Sequence, residues 1–381
     1  MSAAATKPPL KPLALAAIRA PFEAFAARAG GVWTGAPVTL PLGLLLDLAG
    51  EAMRERLAVL GGSREEQALR PDFTIPIARA HLASGAAQGR YLYEGDAFRA
   101  GREGDAATAF LQIGVEVFGP ASDPAALDAG IATLAWTAAC AGGRSDLSLR
   151  FGDAGLFARF LAAIGVGEGL ADRLTRALAH PRRLATELER AQGASPQAPA
   201  TSDRLSALLS GLPEGEAGEV LEQLWRLAGI QPVGGRSASE IVHRLAVRAQ
   251  ASTSPRLSAA QADLIHRYLA LDGAPLAVVD TANVLATEAG GSLAPDVAAW
   301  TRRMAVLPNE APITLATAFV GPFGYYDGVL FEVLSEAKGA ERPLAVGGRY
   351  DGLLTRLGAK GADGAVGCMV RPRRILLEPG A

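Results

Sequence analysis

Leu111-Gln112-Ile113-Gly114-Val115-Glu116-Val117-Phe118 alternates apolar residues with polar or small ones. A period of two is the mark of a strand, so Gln112, Gly114 and Glu116 share one face. Upstream, Tyr91-Leu92-Tyr93-Glu94-Gly95-Asp96-Ala97-Phe98-Arg99 leads through a turn into this strand. Downstream, Pro124 to Ala141 reads as a helix and Leu147 to Phe151 as a short strand. Together, residues 37–152 mix strands, turns and helices.

The flanks differ in texture. Residues 1–36 give a polar, Pro-containing lead-in, then a helix that stops at Gly30-Gly31. Pro21-Phe22-Glu23-Ala24-Phe25 reads as its amphipathic start, with Phe22 and Phe25 on one face. Over residues 153–271, Phe157, Phe160, Leu161 and Ile164 recur at helical spacing, as do Leu221, Leu224, Trp225 and Leu227. Between these groups, Ala191 to Ser202 reads as a flexible connection rich in Ala, Pro, Ser and Gln. Residues 272–381 return to strands and turns: Pro312 to Phe319, Gly328 to Leu334 and Gly364 to Val370. The expected division is a core over 1–165 and 272–381, with a helical insertion at 166–271. There is no internal repeat and no coiled coil.

The chain has 381 residues with 37 Lys+Arg against 39 Asp+Glu, a net charge of −2, so bulk positive charge is not its means of holding nucleic acid. Only 4 of the 37 cations are lysine, and alanine is about a fifth of the chain, a bias that carries no functional weight. Cys140 and Cys368 are far apart and lack partners at ligand spacing, which excludes a disulfide scaffold and a zinc knuckle and fits a reducing cytoplasm. Leu13 to Ala29 is interrupted by Arg19, Glu23 and Arg28, so neither a membrane span nor a secretory leader is expected. No phosphate loop, dinucleotide fingerprint or G-x-S-x-G elbow is present. His81, His180, His243 and His266 have no chelating spacing, and Gly61-Gly62 and Gly347-Gly348 read as tight turns. No metal or cofactor is expected.

The chemistry lies in three separated segments. Leu69-Arg70-Pro71-Asp72-Phe73-Thr74-Ile75-Pro76-Ile77-Ala78-Arg79 sets a carboxylate and a hydroxyl two residues apart, facing the same way if extended. That pair suits an ammonium group, with three donors to satisfy. The second segment is the Tyr91–Arg99 run with the Gln112/Glu116 strand. The third is Gly324-Tyr325-Tyr326-Asp327-Gly328-Val329-Leu330-Phe331-Glu332, followed by Gly347-Gly348-Arg349-Tyr350-Asp351-Gly352-Leu353.

In these segments the sequence resembles the catalytic core of histidyl-tRNA synthetase, over about residues 10–375 with a poor match across 170–270. The resemblance implies an α/β (α+β) fold of the class II synthetase kind: an antiparallel sheet flanked by helices, with a helical insertion. It implies that Asp72, where that family usually has Glu, and Thr74 hold a histidine α-amino group. Gln112 would serve the amino or carboxylate end. Glu116, Tyr326 and Tyr350, with Tyr325 beside them, would surround the imidazole. Arg99, Phe110 and Arg374 would be vestiges of nucleotide contacts. Pro37 to Leu60 takes the place of the motif that builds a two-fold dimer interface.

The departures are specific. Gly321 stands where the synthetases place an arginine over the reacting groups, and Arg371 where they have a glycine beneath the nucleotide. The turn Ala100 to Ala107 has little positive charge, and the sequence ends at Ala381 without room for an anticodon-binding domain. This profile is similar to the regulatory subunits of ATP phosphoribosyltransferase. That similarity implies a non-catalytic cytoplasmic subunit that binds histidine as feedback inhibitor. Its partner would be the short catalytic subunit, in a hetero-oligomer built on a homodimer, with no tRNA and no membrane. Two rivals are a minimal synthetase-like enzyme activating an amino acid with ATP, and an assembly subunit with a dead pocket.

Overall fold

The alternating segment forms an eleven-residue strand, Thr108–Phe118, in the computed structural model of the chain. The structure describes residues 10–49, 51–61, 66–99, 108–193, 219, 220, 223, 256–321, 325–359 and 364–376. Its strands are β1 Val32–Trp33, β2 Thr39–Pro41, β3 Val59–Leu60, β4 Gln67–Leu69, β5 Gly89–Arg99, β6 Thr108–Phe118, β7 Leu147–Asp153, β8 Asp272–Gly273, β9 Ile313–Ala316, β10 Val329–Ser335, β11 Ala345–Arg349 and β12 Ala365–Val370. The helices are α1 Pro12–Ala29, α2 Leu42–Ala49, α3 Thr74–Ser84, α4 Pro124–Cys140, α5 Ala154–Ala163, α6 Glu168–Ala177, α7 Pro181–Ala191, α8 Ala259–Leu269, α9 Pro275–Glu288, α10 Ala294–Met304, α11 Asp351–Arg356 and α12 Pro372–Ile375.

Nine strands form one sheet in the order β1-β5-β6-β12-β11-β10-β7-β9-β8. Only β1 with β5 and β7 with β9 run parallel. The β5–β6 hairpin sets Tyr93 opposite Gly114, and β12 sets Gly367 opposite Glu116. These glycines are needed for space. A methyl group at 114 would run into the Tyr93 ring, and one at 367 would land on the Glu116 carboxylate. A smaller sheet, β2-β4-β3, lies beside α2 in the same hydrophobic cluster as Phe73, Tyr93 and Tyr350.

Helix α4 starts as the sequence indicates: Asp123 accepts from the backbone N–H groups of Ala125 and Ala126, and Pro124 fills the first position. It buries Ile131, Leu134 and Trp136 and packs on β10, β11 and β12. The chain divides into two compact units, Met1–Phe160 with Arg267–Ala381, and Leu161–His266. Within the second, α6 and α7 pair through Leu170, Leu174, Leu184 and Leu188, with Arg173 bridging to Glu187 at 3.3 Å.

Four sequence readings need correction. α1 begins at Pro12, so Pro21 sits inside the helix rather than opening it, and the apolar spacing alone did not mark the start. The stretch after 272 contains α9 and α10, which the strand-and-turn reading missed although each starts with Pro in its first turn. Gly347-Gly348 lies in β11, where a side chain at 347 would strike Phe331 and the β12 backbone, so the pair serves close strand packing rather than a turn. Thr74 opens α3, so Asp72 and Thr74 are not an extended pair. The readings at Leu221, Leu224, Trp225 and Leu227, at Ala100–Ala107, at Gly62, at His243 and across most of Ala191–Ser202 lie outside the described residues.

Candidate functional site

Glu116 is buried mid-strand and therefore has to be satisfied by neighbours. Three hydroxyls reach it from three other elements. Thr74 Oγ1 donates to Oε1 at 2.8 Å, Tyr93 Oη donates to the same oxygen at 3.3 Å, and Tyr350 Oη donates to Oε2. Tyr93 is fixed by stacking on Phe73, with ring centroids 4.5 Å apart, and Arg70 lies over the other ring at 4.0 Å from its centroid. Tyr325 donates to Asp72 Oδ2 at 3.3 Å and lies edge-on to Tyr350.

Thr74, Tyr93, Glu116, Tyr350, Asp72 and Tyr325 line a cavity of about 540 Å³. It brings together Asp72, Thr74, Gln112, Glu116, Tyr325, Tyr326 and Tyr350, and also Arg99 and Arg374. Phe110 stands behind the lining, beneath Arg99 and Arg371. Sequence reasoning missed Tyr93 as a site residue. Its signal is the Tyr93–Gly114 cross-strand pair, visible only once the hairpin register is known. It also left Arg56 and Glu332 without roles, though both line the cavity.

The electrostatics follow from burial. Glu116 is raised from 4.5 to about 8 because its charged form is desolvated; the Tyr350 and Thr74 hydroxyls oppose this and nearby Asp72 adds to it. Asp72 is also raised, by burial, against the pull of Arg99 and of the Ile75 and Thr74 backbone N–H groups. Burial pushes Tyr93, Tyr325 and Tyr350 well above the ordinary phenol range, so they remain neutral donors. Two buried acceptors, Asp72 Oδ1 and Gln112 Oε1, have no hydrogen-bond partner among the described residues. The arrangement can therefore take up a ligand rich in N–H donors.

A stability prediction follows. Glu116 binds a proton more tightly folded than unfolded, so its own contribution to stability is full below about pH 4.5 and is lost as pH rises towards 8. The full shift corresponds to at most roughly 5 kcal/mol. Glu116→Gln is thus expected to melt higher than the wild type at pH 8.5 and near it at pH 5. Equal melting differences at both pH values would contradict the assigned burial cost.

No group of three His, Cys, Asp or Glu among the described residues is placed to hold a metal. His81 is buried, stacks on Phe118 and contacts Tyr91 Oη at 3.1 Å, whereas His180 and His266 are exposed. Among the described residues no helix is long and apolar enough to cross a membrane.

The histidyl-tRNA synthetase family model matches residues 36–233 and 216–375. An ATP phosphoribosyltransferase regulatory subunit of Brucella anthropi is 34% identical over 85% of this chain and 86% of its own length. One from Mesorhizobium japonicum is 36% identical, covering 88% and 90%. The chain belongs to the ATP phosphoribosyltransferase regulatory subunit family. A Bacillus halodurans structure described as an ATP phosphoribosyltransferase regulatory subunit/histidyl-tRNA synthetase aligns with a TM-score of 0.63 at 22% identity, over 98% of this chain and 82% of that one. A Nostoc histidyl-tRNA synthetase aligns with a TM-score of 0.59 at 16% identity, over 98% and 75%. The fold is that of a class II synthetase, as the motifs implied.

Within that fold, two departures from the synthetase pattern have visible surroundings. Gly321 lies where a methyl would come within 3.0 Å of the Tyr326 ring. Arg371 fills space along the cavity wall, its guanidinium 4.9 Å from the Phe110 centroid.

Proposed function

We propose that this chain is the non-catalytic regulatory subunit of an ATP phosphoribosyltransferase and binds histidine in the cavity around Glu116. The carrying observation is Glu116 itself, a buried carboxylate that three hydroxyls orient inside an aromatic cavity. It accepts an imidazole N–H, and a tyrosine of the wall serves the other ring nitrogen. Asp72 Oδ1 and Gln112 Oε1, acceptors without a hydrogen-bond partner among the described residues, suit the α-ammonium group.

The partner is the short catalytic subunit of the transferase, and a homodimer of this chain forms the centre of the complex. Exposed Val38, Val59 and Leu60, in the Pro37 to Leu60 segment, support that pairing. Histidine inhibits only if it binds the inactive arrangement more tightly than the active one, typically by about 1–3 kcal/mol.

Co-expression with a short-form catalytic subunit tests this reading. Both activity and histidine sensitivity are expected to require this chain. Activity that is equal and equally histidine-sensitive without it sinks the proposal. Calorimetry separates sensor from scaffold, since an absence of heat at millimolar histidine favours a scaffold. Pyrophosphate exchange driven by histidine and ATP would instead establish an amino-acid-activating enzyme.

A further inference from the structure

Asp327 follows Tyr325 and Tyr326 in the chain but lies outside the cavity they line. Tyr325 to Gly328 belongs to no helix or strand, so neighbouring groups have to hold it. The Tyr325 hydroxyl meets Asp72, and the two tyrosine rings pack on each other and on Tyr350, with centroids 4.9 to 6.2 Å apart. The backbone is held at its far end. The Asp327 and Gly328 N–H groups donate to the Arg349 carbonyl at 3.2 and 3.4 Å, and the Ala154 N–H donates to the Gly328 carbonyl at 3.1 Å.

The Asp327 side chain makes a further connection. Its Oδ1 accepts from the Asp351 N–H at 3.0 Å and its Oδ2 from the Gly352 N–H at 2.6 Å. These are the first two N–H groups of α11, which have no acceptor within their own helix. The Asp351 carboxylate is turned elsewhere: its Oδ1 accepts from Arg349 Nη1 at 3.1 Å and from the Ala365 N–H at 2.7 Å. A carboxylate at a helix start is favoured by charge as well as by bonding. Tyr350, just before α11, sends its hydroxyl to Glu116. One side chain therefore joins the Tyr325-Tyr326 wall of the cavity to the Tyr350 wall.

Gly352 makes room for this connection, because a methyl there would fall 2.7 Å from Asp327 Oδ2. Its φ is not positive, so the backbone itself does not call for glycine. Asp327 is exposed and fills no core. Water could satisfy the same two N–H groups, but it could not tie them to residue 327.

We propose that Asp327 is a positioning residue for the amino-acid site, locking Tyr325 and Tyr326 against Tyr350 so that the aromatic wall is in place before the ligand arrives. The identity of the ligand rests on the function proposed above; the lock itself does not. A wall already ordered spares binding the cost of fixing two large side chains, about tenfold in affinity.

Two measurements on the full chain test the lock: calorimetry with histidine, and fluorine NMR of ligand-free chain labelled with meta-fluorotyrosine. Asp327→Ala is expected to weaken histidine about tenfold and to lower the melting temperature by no more than a few degrees. It should shift the Tyr325 and Tyr326 resonances, assigned from Tyr325→Phe and Tyr326→Phe, and leave that of Tyr268, stacked on Phe160, in place. Gly352→Ala separates positioning from helix stability. Alone, its methyl displaces the carboxylate, so histidine affinity should fall although alanine is the better helix former. Combined with Asp327→Ala, the same change should cost no further affinity and should raise the melting temperature. Unchanged histidine affinity or unmoved Tyr325 and Tyr326 resonances in Asp327→Ala overturn the lock, as do equal affinity losses from Gly352→Ala in both backgrounds. If the unsubstituted chain binds no histidine, the proposed function fails and the spectra alone decide: shifted Tyr325 and Tyr326 resonances support the lock, and unmoved ones overturn it.

Discussion

Histidine inhibition of the assembled transferase is expected to disappear in Glu116→Ala, with assembly itself retained. Glu116 is the convergence point of Thr74, Tyr93 and Tyr350, and its carboxylate is the imidazole partner in the proposed site. Truncating one member of a buried, hydrogen-bonded charged pair costs about 2–5 kcal/mol, so histidine affinity should fall by roughly 30- to 5,000-fold. Tyr350→Phe keeps the ring and removes one donor, and about a tenfold loss or less is expected. Calorimetry and inhibition curves on the complex measure both. Retained inhibition in Glu116→Ala would refute the pocket assignment, whereas failed assembly would show that Glu116 also supports the subunit contact.

Arg349→Ala is expected to give the largest loss of stability. Arg349 Nε and Nη2 both donate to Asp128 Oδ1, at 2.9 and 2.6 Å, and Nη1 donates to Asp351 Oδ1 at 3.1 Å. Asp128 is almost wholly buried on α4 and also accepts from Arg303 at 3.0 Å. Asp351 in turn accepts from the backbone N–H of Ala365, where β12 begins. One arginine therefore ties α4, β11, α11 and β12 together. Removing it leaves a buried carboxylate with half its compensation, a cost of about 3–5 kcal/mol. For a unit of this size the melting temperature should fall by roughly 5–10 °C. The loss should shrink in acid, where Asp128 takes up a proton and no unpaired charge remains. A loss independent of pH would point to side-chain packing as the cause.

The strand that carries the site was legible because its two faces differ, and a strict alternation has one structural meaning. Helix α4 was legible from Asp123-Pro124, which together mark a helix start. The Asp72–Thr74 pairing was not, although the signal was present. Asp72 followed by Pro76 in the first turn is a helix-start pattern, and the Ile75 and Thr74 N–H groups do act on the Asp72 carboxyl. Reading the two residues as an extended pair ignored that competitor. The two nevertheless reach one cavity, because the start of α3 brings Thr74 against Glu116 while Asp72 meets Tyr325. Tyr93 and Gly367 could not be placed from the sequence. Their roles depend on which residues stand across from them, and register is a property of the paired sheet, not of either strand.

The groups around Glu116 come from residues 74, 93, 116, 350 and 367, nearly the full span of the described chain. Contacts so distant in sequence form late, after the loops between them have closed. During synthesis the pocket cannot exist until β12 has left the ribosome and paired with β6. On the function proposed above, a growing chain therefore cannot bind histidine, and only a chain that has completed this sheet is expected to report how much histidine is present.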